Sequence, residues 1–232
     1  MNVELRRNPV WPGTLRVIHV LLGLSLTTLL VSGALLGWQG LDAGGRADLL
    51  RQLHLPAGYV LAITLAVRLL LLIFADGVAG WRALLPVKQG EARRLLEMLR
   101  FYLSWRRNRL PPFFAQDPLW APLHLLLFLL LALQTLIGLA LEFPALTDWL
   151  PLDYLTLKNI HNTLFNLLLI WVILHIVSVI LRELRGRGNE TSSMIHGEKL
   201  FVIDRSALGQ RGTLGGVHVE FPPKAKNDEG QQ

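Results

Sequence analysis

The chain has 232 residues, 52% of them hydrophobic and only 17% charged, with a formal net charge of +6 and no cysteine. Without cysteine there can be no disulfide, iron–sulfur cluster, thiolate-ligated haem or C-x-x-C-H haem attachment. The apolar residues are bunched rather than dispersed, which excludes a soluble bundle with polar positions at every third or fourth residue.

The N-terminal segment carries Arg6, Arg7 and Arg16 and leads into a first apolar stretch over 15–37. That stretch is too long for a signal-peptide core of about 7–15 residues, and no clear small-residue cleavage site follows it, so it reads as a retained helix. A short connection with Arg46 and Arg51 leads to a second stretch over 53–75, which holds LPAGYVLAITLAVRLLLLIFA. A long polar segment follows, with Arg82, Lys88, Arg93, Arg94, Arg100, Arg106, Arg107 and Arg109. Within it EARRLLEMLRFYLSWRRNR has leucines and aromatics at helical spacing with arginines between. This predicts an amphipathic helix, either lying at the membrane interface or packed on the bundle. The third stretch covers 119–141 and the fourth 160–182, with only Lys158 between them. Each of the four is near the ~20 residues that cross ~30 Å of hydrocarbon.

The fold class expected is all-α: an integral membrane four-helix bundle over 1–183 with an interfacial amphipathic helix between helices two and three, and a tail over 184–232. The tail is polar, with a β-like patch (GGVHVEFPP) and a disordered-looking end (KAKNDEGQQ). Its basic residues, with Arg182, are Arg185, Arg187, Lys199, Arg205, Arg211, Lys224 and Lys226. All the large basic clusters fall on one side of the alternating topology. The positive-inside rule puts both termini and the long middle segment in the cytoplasm. Orientation accounts for the charge without nucleic-acid binding.

Five of the seven histidines, His19, His54, His124, His161 and His175, lie in or at the ends of the spans; His196 and His218 lie in the tail. Ionisable side chains inside a bilayer are costly and are candidates for function. Helix one runs outward, so His19 is near the inner face. Helix two returns, so His54 is near the outer face. On helix four, His161 sits at the outer start and His175 follows 14 residues later. That interval is ~21 Å and ~3.9 turns, so both point to nearly one side of the helix. Two pairs at two depths result: His54 with His161 and His19 with His175. A bis-histidine haem needs two imidazoles facing each other from two helices at one level. A zinc site would gather its ligands at one point and fits poorly.

His124, at the inner end of helix three, is an alternative inner ligand, a quinone hydrogen-bond partner or a plain interfacial residue. Gly23 and Gly58 each follow a histidine by four positions, and Gly33 and Gly138 lie deeper in their helices. Such glycines admit either a flat macrocycle or a neighbouring helix. Arg16 and Arg68 are placed either to meet haem propionates or a quinone, or to snorkel to headgroups.

The pieces RVIHV, QLHLPAGYVLAITLAVR, DPLW…LQTLIGLAL, HNTLFNLLLIWVILHIV and SSMIHGEKLF, over roughly 10–201, resemble the bacterial di-haem cytochrome b family. That family includes the cytochrome b subunits of nickel–iron hydrogenases and the gamma subunits of formate dehydrogenases. The resemblance implies two haem b groups, an inner one on His19 and His175 and an outer one on His54 and His161. It also implies a quinone as substrate and a hydrogenase- or dehydrogenase-like redox partner. The chain would then be an electron-transfer component of an oxidoreductase complex. GQRGTLGGVHVEFPP departs from the family core, so the identity of the partner is not carried over. The rival expectations are a stand-alone quinol-oxidising cytochrome and a cofactor-free anchor or transporter.

Overall fold

The computed structural model describes residues 3–38, 44–85, 91–104, 113, 115–143, 145, 152–185, 190–204, 213–214 and 217–218. Four helices are long and apolar enough to cross a membrane: α1 (Gly13–Trp38), α2 (Gly44–Phe74), α4 (Trp120–Glu142) and α5 (Tyr154–Arg185). A shorter α3 (Glu91–Leu103) lies between α2 and α4, and α6 (Glu190–His196) follows α5. The protein is a four-helix membrane bundle.

The spans α2 and α5 begin earlier than the apolar pattern predicts. With 31 and 32 residues they are ~46 and ~48 Å long, well beyond the hydrocarbon thickness. Hydropathy marks only the part that suits lipid, whereas a helix runs on until its backbone groups are capped. At the head of α5, Asp153 Oδ1 accepts from Thr156 N–H at 2.6 Å, and the hydrogen bonds from Thr156 hold its carboxyl below the usual range. Arg46, Arg51 and Lys158 therefore sit on helices rather than in loops, and His161 lies seven residues inside α5 rather than at its start.

In the bundle α1 packs along α2, α4 along α5, and α2 against α4. Their shared core is leucine-rich, with Leu61, Leu65, Leu131 and Leu168 almost fully buried and Phe128 among them. Large apolar side chains such as Ile63, Leu136 and Ile170 remain exposed on the outside. Lipid is the solvent that such a surface suits.

Helix α3 buries Met98 and Phe101 completely and leaves Leu96, Leu99 and Leu103 exposed. The Arg185 guanidinium, at the end of α5, donates to the Phe101 carbonyl at 3.2 Å. One face of α3 is therefore packed on the bundle.

A two-stranded antiparallel sheet joins the N-terminal strand β1 (Val3–Pro9) to β2 (Glu198–Asp204) after the last span. Nothing local in VELRRNP announces this pairing, because the partner lies some 190 residues away. Gly197, with φ +86°, makes the turn between α6 and β2. Its carbonyl accepts from Val10 and Trp11 N–H at 2.8 and 3.0 Å. A Cβ there would lie 2.6 Å from Arg16 Nη1 and 3.1 Å from the Trp11 carbonyl oxygen. In the tail, β3 (Thr213–Leu214) and β4 (Val217–His218) form a small ladder that includes two residues of the predicted β-like patch. Lys88, Arg106, Arg107, Arg109 and the polar end of the tail lie outside the described residues.

Candidate functional site

Two histidine groups sit at two levels of α5. At one level His54 of α2 faces His161 of α5, with ring centroids 6.5 Å apart and planes at 65°. Two imidazole nitrogens each about 2 Å from one metal ion would put the centroids roughly 6 Å apart.

Neighbouring side chains decide where the ring protons sit. Ser32 donates its hydroxyl to the Thr28 carbonyl at 2.6 Å. Its oxygen therefore accepts from His54 Nδ1, 2.8 Å away, and the lone pair of that ring is on Nε2. His161 Nε2 accepts from the Gln134 amide at 3.2 Å, and its Nδ1 is buried without a partner.

Two glycines border this pair. A Cβ on Gly138 would stand 3.3 Å from His161 Cε1, and one on Gly33 would stand 3.5 Å from His54 Cε1 and 3.6 Å from the Phe165 ring. Among the described residues nothing lies within 4 Å of a Cβ at Gly23, and Leu29 is near one at Gly58, at 3.9 Å.

The second level is an aromatic cluster. Trp171 stacks on His175 at 5.1 Å and 10°, and Trp120 meets the edge of both, at 5.4 and 5.5 Å. His124 lies 5.9 Å from His175 and 5.6 Å from Trp171. Its Nδ1–H donates to the Trp120 carbonyl at 2.6 Å, which leaves the lone pair on Nε2. His19 of α1 is close enough to interact electrostatically with both His124 and His175. His175 Nδ1 is buried without a partner. The structure thus gathers three histidines here and places His124 among them.

Each of the two candidate arginines has a described contact of its own. Arg68 is buried, donates to the Ala79 carbonyl at 2.9 Å, and lies 5.1 Å over the Phe128 ring. Arg16 packs over Gly197.

Ser32, Gln134, Trp120, Trp171, Asp117 and Arg182 also belong to the two histidine levels or their supports. A polar residue inside an apolar run is the signal for Ser32 and Gln134. The aspartate before α4 and the arginine ending α5 have no local signal, because their meeting is tertiary. No group of three or more His, Cys, Asp or Glu among the described residues is placed to hold a metal ion. A purely protein-ligated metal is therefore a poor match, whereas paired imidazoles beside glycine clefts suit a flat prosthetic group that brings its own equatorial ligands.

Fold and site together define a multi-pass membrane bundle with histidine groups at two levels. The chain belongs to the prokaryotic cytochrome b561 family, whose sequence profile matches residues 10–197. It is thus a membrane haem b protein of electron transfer. No curated protein and no solved structure matches it.

Proposed function

We propose that the chain is a di-haem electron-transfer subunit that relays electrons between a hydrogenase- or dehydrogenase-like partner and the membrane quinone pool. His54 and His161 would hold the outer haem b, and His19 and His175 the inner one. The observation that carries this reading is the placement of His54 and His161 across from each other with ring centroids 6.5 Å apart, with a second histidine group 14 residues further along α5. His175 Nδ1, buried without a partner among the described residues, and the absence of a Cβ at Gly33 and Gly138 against the His54 and His161 rings suit the group as well. Haem b, when bound, supplies reversible one-electron chemistry at its iron.

The protein's own residues bind, orient and exclude water. Ser32 holds the His54 proton on Nδ1 and presents Nε2 as the ligating atom. The stacked Trp171 fixes the plane of His175. The leucine core around both levels keeps the surroundings dry and of low dielectric, which sets potential. His124, with its lone pair on Nε2, is suited to accept from a quinol hydroxyl beside the inner site. The basic residues of the termini and middle segment orient the chain in a bacterial inner membrane with those parts in the cytoplasm. There α3 would lie at the inner leaflet with Leu96, Leu99 and Leu103 toward lipid.

The test is a reduced-minus-oxidised spectrum and a haem count on the purified full chain, followed by quinone reduction with an artificial donor. Two b-type haems per chain and quinone-linked reoxidation are expected. Absence of b-type bands would defeat the proposal.

A further inference from the structure

We propose that Asp117 is a positioning residue for the inner histidine cluster, acting through Trp120 and Arg182. This rests on the reading that the inner cluster holds a haem b. The Asp117 side chain is 1% exposed. Its Oδ1 accepts from Leu119 N–H at 2.8 Å and Trp120 N–H at 3.2 Å, which caps the head of α4. Its Oδ2 accepts from Tyr102 O–H at 2.5 Å and from Arg182 Nη1 at 3.0 Å. One carboxylate thus ties together α3, the first turn of α4 and the last turns of α5.

What it fixes is the inner site. Trp120 supplies the carbonyl that orients His124, and its ring packs on His124, Trp171 and His175. Arg182 follows His175 by seven residues, about two turns, so both leave α5 on nearly the same side. The ion pair therefore draws the His175 face of α5 against α4. Arg182 also interacts electrostatically with His124 and His175, and at His124 the Asp117 charge opposes it. A buried ion pair by itself is a weak reason for stability. Here one of the four hydrogen bonds to the carboxylate holds Trp120, which contacts both His124 and His175.

Asp117→Asn separates the two roles. Asparagine still caps α4 but removes the negative charge, leaving Arg182 less compensated. The experiment is a redox titration with electron paramagnetic resonance of the full-length protein, the outer haem being assigned by its loss in His54→Ala. In Asp117→Asn the inner haem is expected to become about tenfold easier to reduce, an upward shift of 59 mV for one electron, with an altered low-spin signal and an unchanged outer haem. Tyr102→Phe keeps carboxylate and cap while removing one hydrogen bond from Oδ2, and should shift the inner haem the opposite way by less. A merely structural role would lower thermal stability without a selective change at one haem. Fewer than two haems in the unsubstituted protein would overturn the underlying reading. Two haems, with an unchanged inner signal and potential in Tyr102→Phe, would overturn the present one whether or not Asp117→Asn assembles.

Discussion

Ser32 Oγ of α1 lies 2.8 Å from His54 Nδ1 of α2, and the serine hydroxyl is already given to the Thr28 carbonyl. The imidazole proton is thereby held on Nδ1. Removing such a partner from a ligating histidine typically costs 10–100-fold in affinity. Ser32→Ala should weaken haem retention at the outer site by roughly that factor and leave the inner site intact. Haem loss to an apo-acceptor protein measures it, and equal loss rates in the two proteins would contradict the assignment.

The histidine pairs predict stoichiometry. His54→Ala and His19→Ala should each leave one haem of two, and not the same one. A haem count with a redox titration of each variant reads this directly. Both variants retaining two haems would sink the pairing.

Glycine positions predict a graded series. A Cβ at Gly138 would press on His161 at 3.3 Å, one at Gly33 would be in ordinary contact at 3.5 Å, and one at Gly23 would meet nothing. Overpacking costs about 1–3 kcal/mol. Gly138→Val should reduce outer-haem occupancy by roughly tenfold or more. Gly33→Ala should have a smaller effect and Gly23→Ala none. Haem occupancy after purification checks the order, and Gly23→Ala proving the most harmful would reverse it.

Gly197 predicts a stability effect. Its φ of +86° disfavours any side chain, and a Cβ would collide with Arg16. Gly197→Ala should cost about 1–3 kcal/mol. The loss would appear as a lower Tm in detergent, and an unchanged Tm would show that the α6–β2 turn contributes nothing.

Tyr102 predicts alkaline behaviour. Burial first, and then the Asp117 carboxylate, push its phenol well above the ordinary tyrosine range. Above pH ~10 the unfolded chain releases this proton while the native protein keeps it. Its contribution to stability is therefore complete below that pH and is lost as pH rises further. Tyr102→Phe should flatten this decline. Parallel Tm curves for the two proteins between pH 9 and 11 would refute it.

The membrane spans were legible because lipid demands long apolar runs, and a run survives inspection without knowledge of its neighbours. Their ends were less legible. The apolar pattern stops near 53 and 160, whereas α2 starts at Gly44 and α5 at Tyr154, since helix length follows capping as well as hydropathy. The 14-residue interval on α5 put His161 and His175 on one side of a helix, and alternating topology put His54 level with His161. Those relations depend only on helical rise and on counting spans.

What the tertiary structure decided is which side chains meet. It brought Gly33 and Gly138, rather than Gly23 and Gly58, against the histidine pair, because the rotation of each helix about its own axis is set by packing. It placed His124 in the inner aromatic cluster, and it joined Asp117, Tyr102 and Arg182 from three elements. It also paired β1 with β2 across the length of the chain. The sequence by itself determined depth along each helix, through periodicity and length. Contacts across helices follow from azimuth and long-range closure, which only the folded bundle sets.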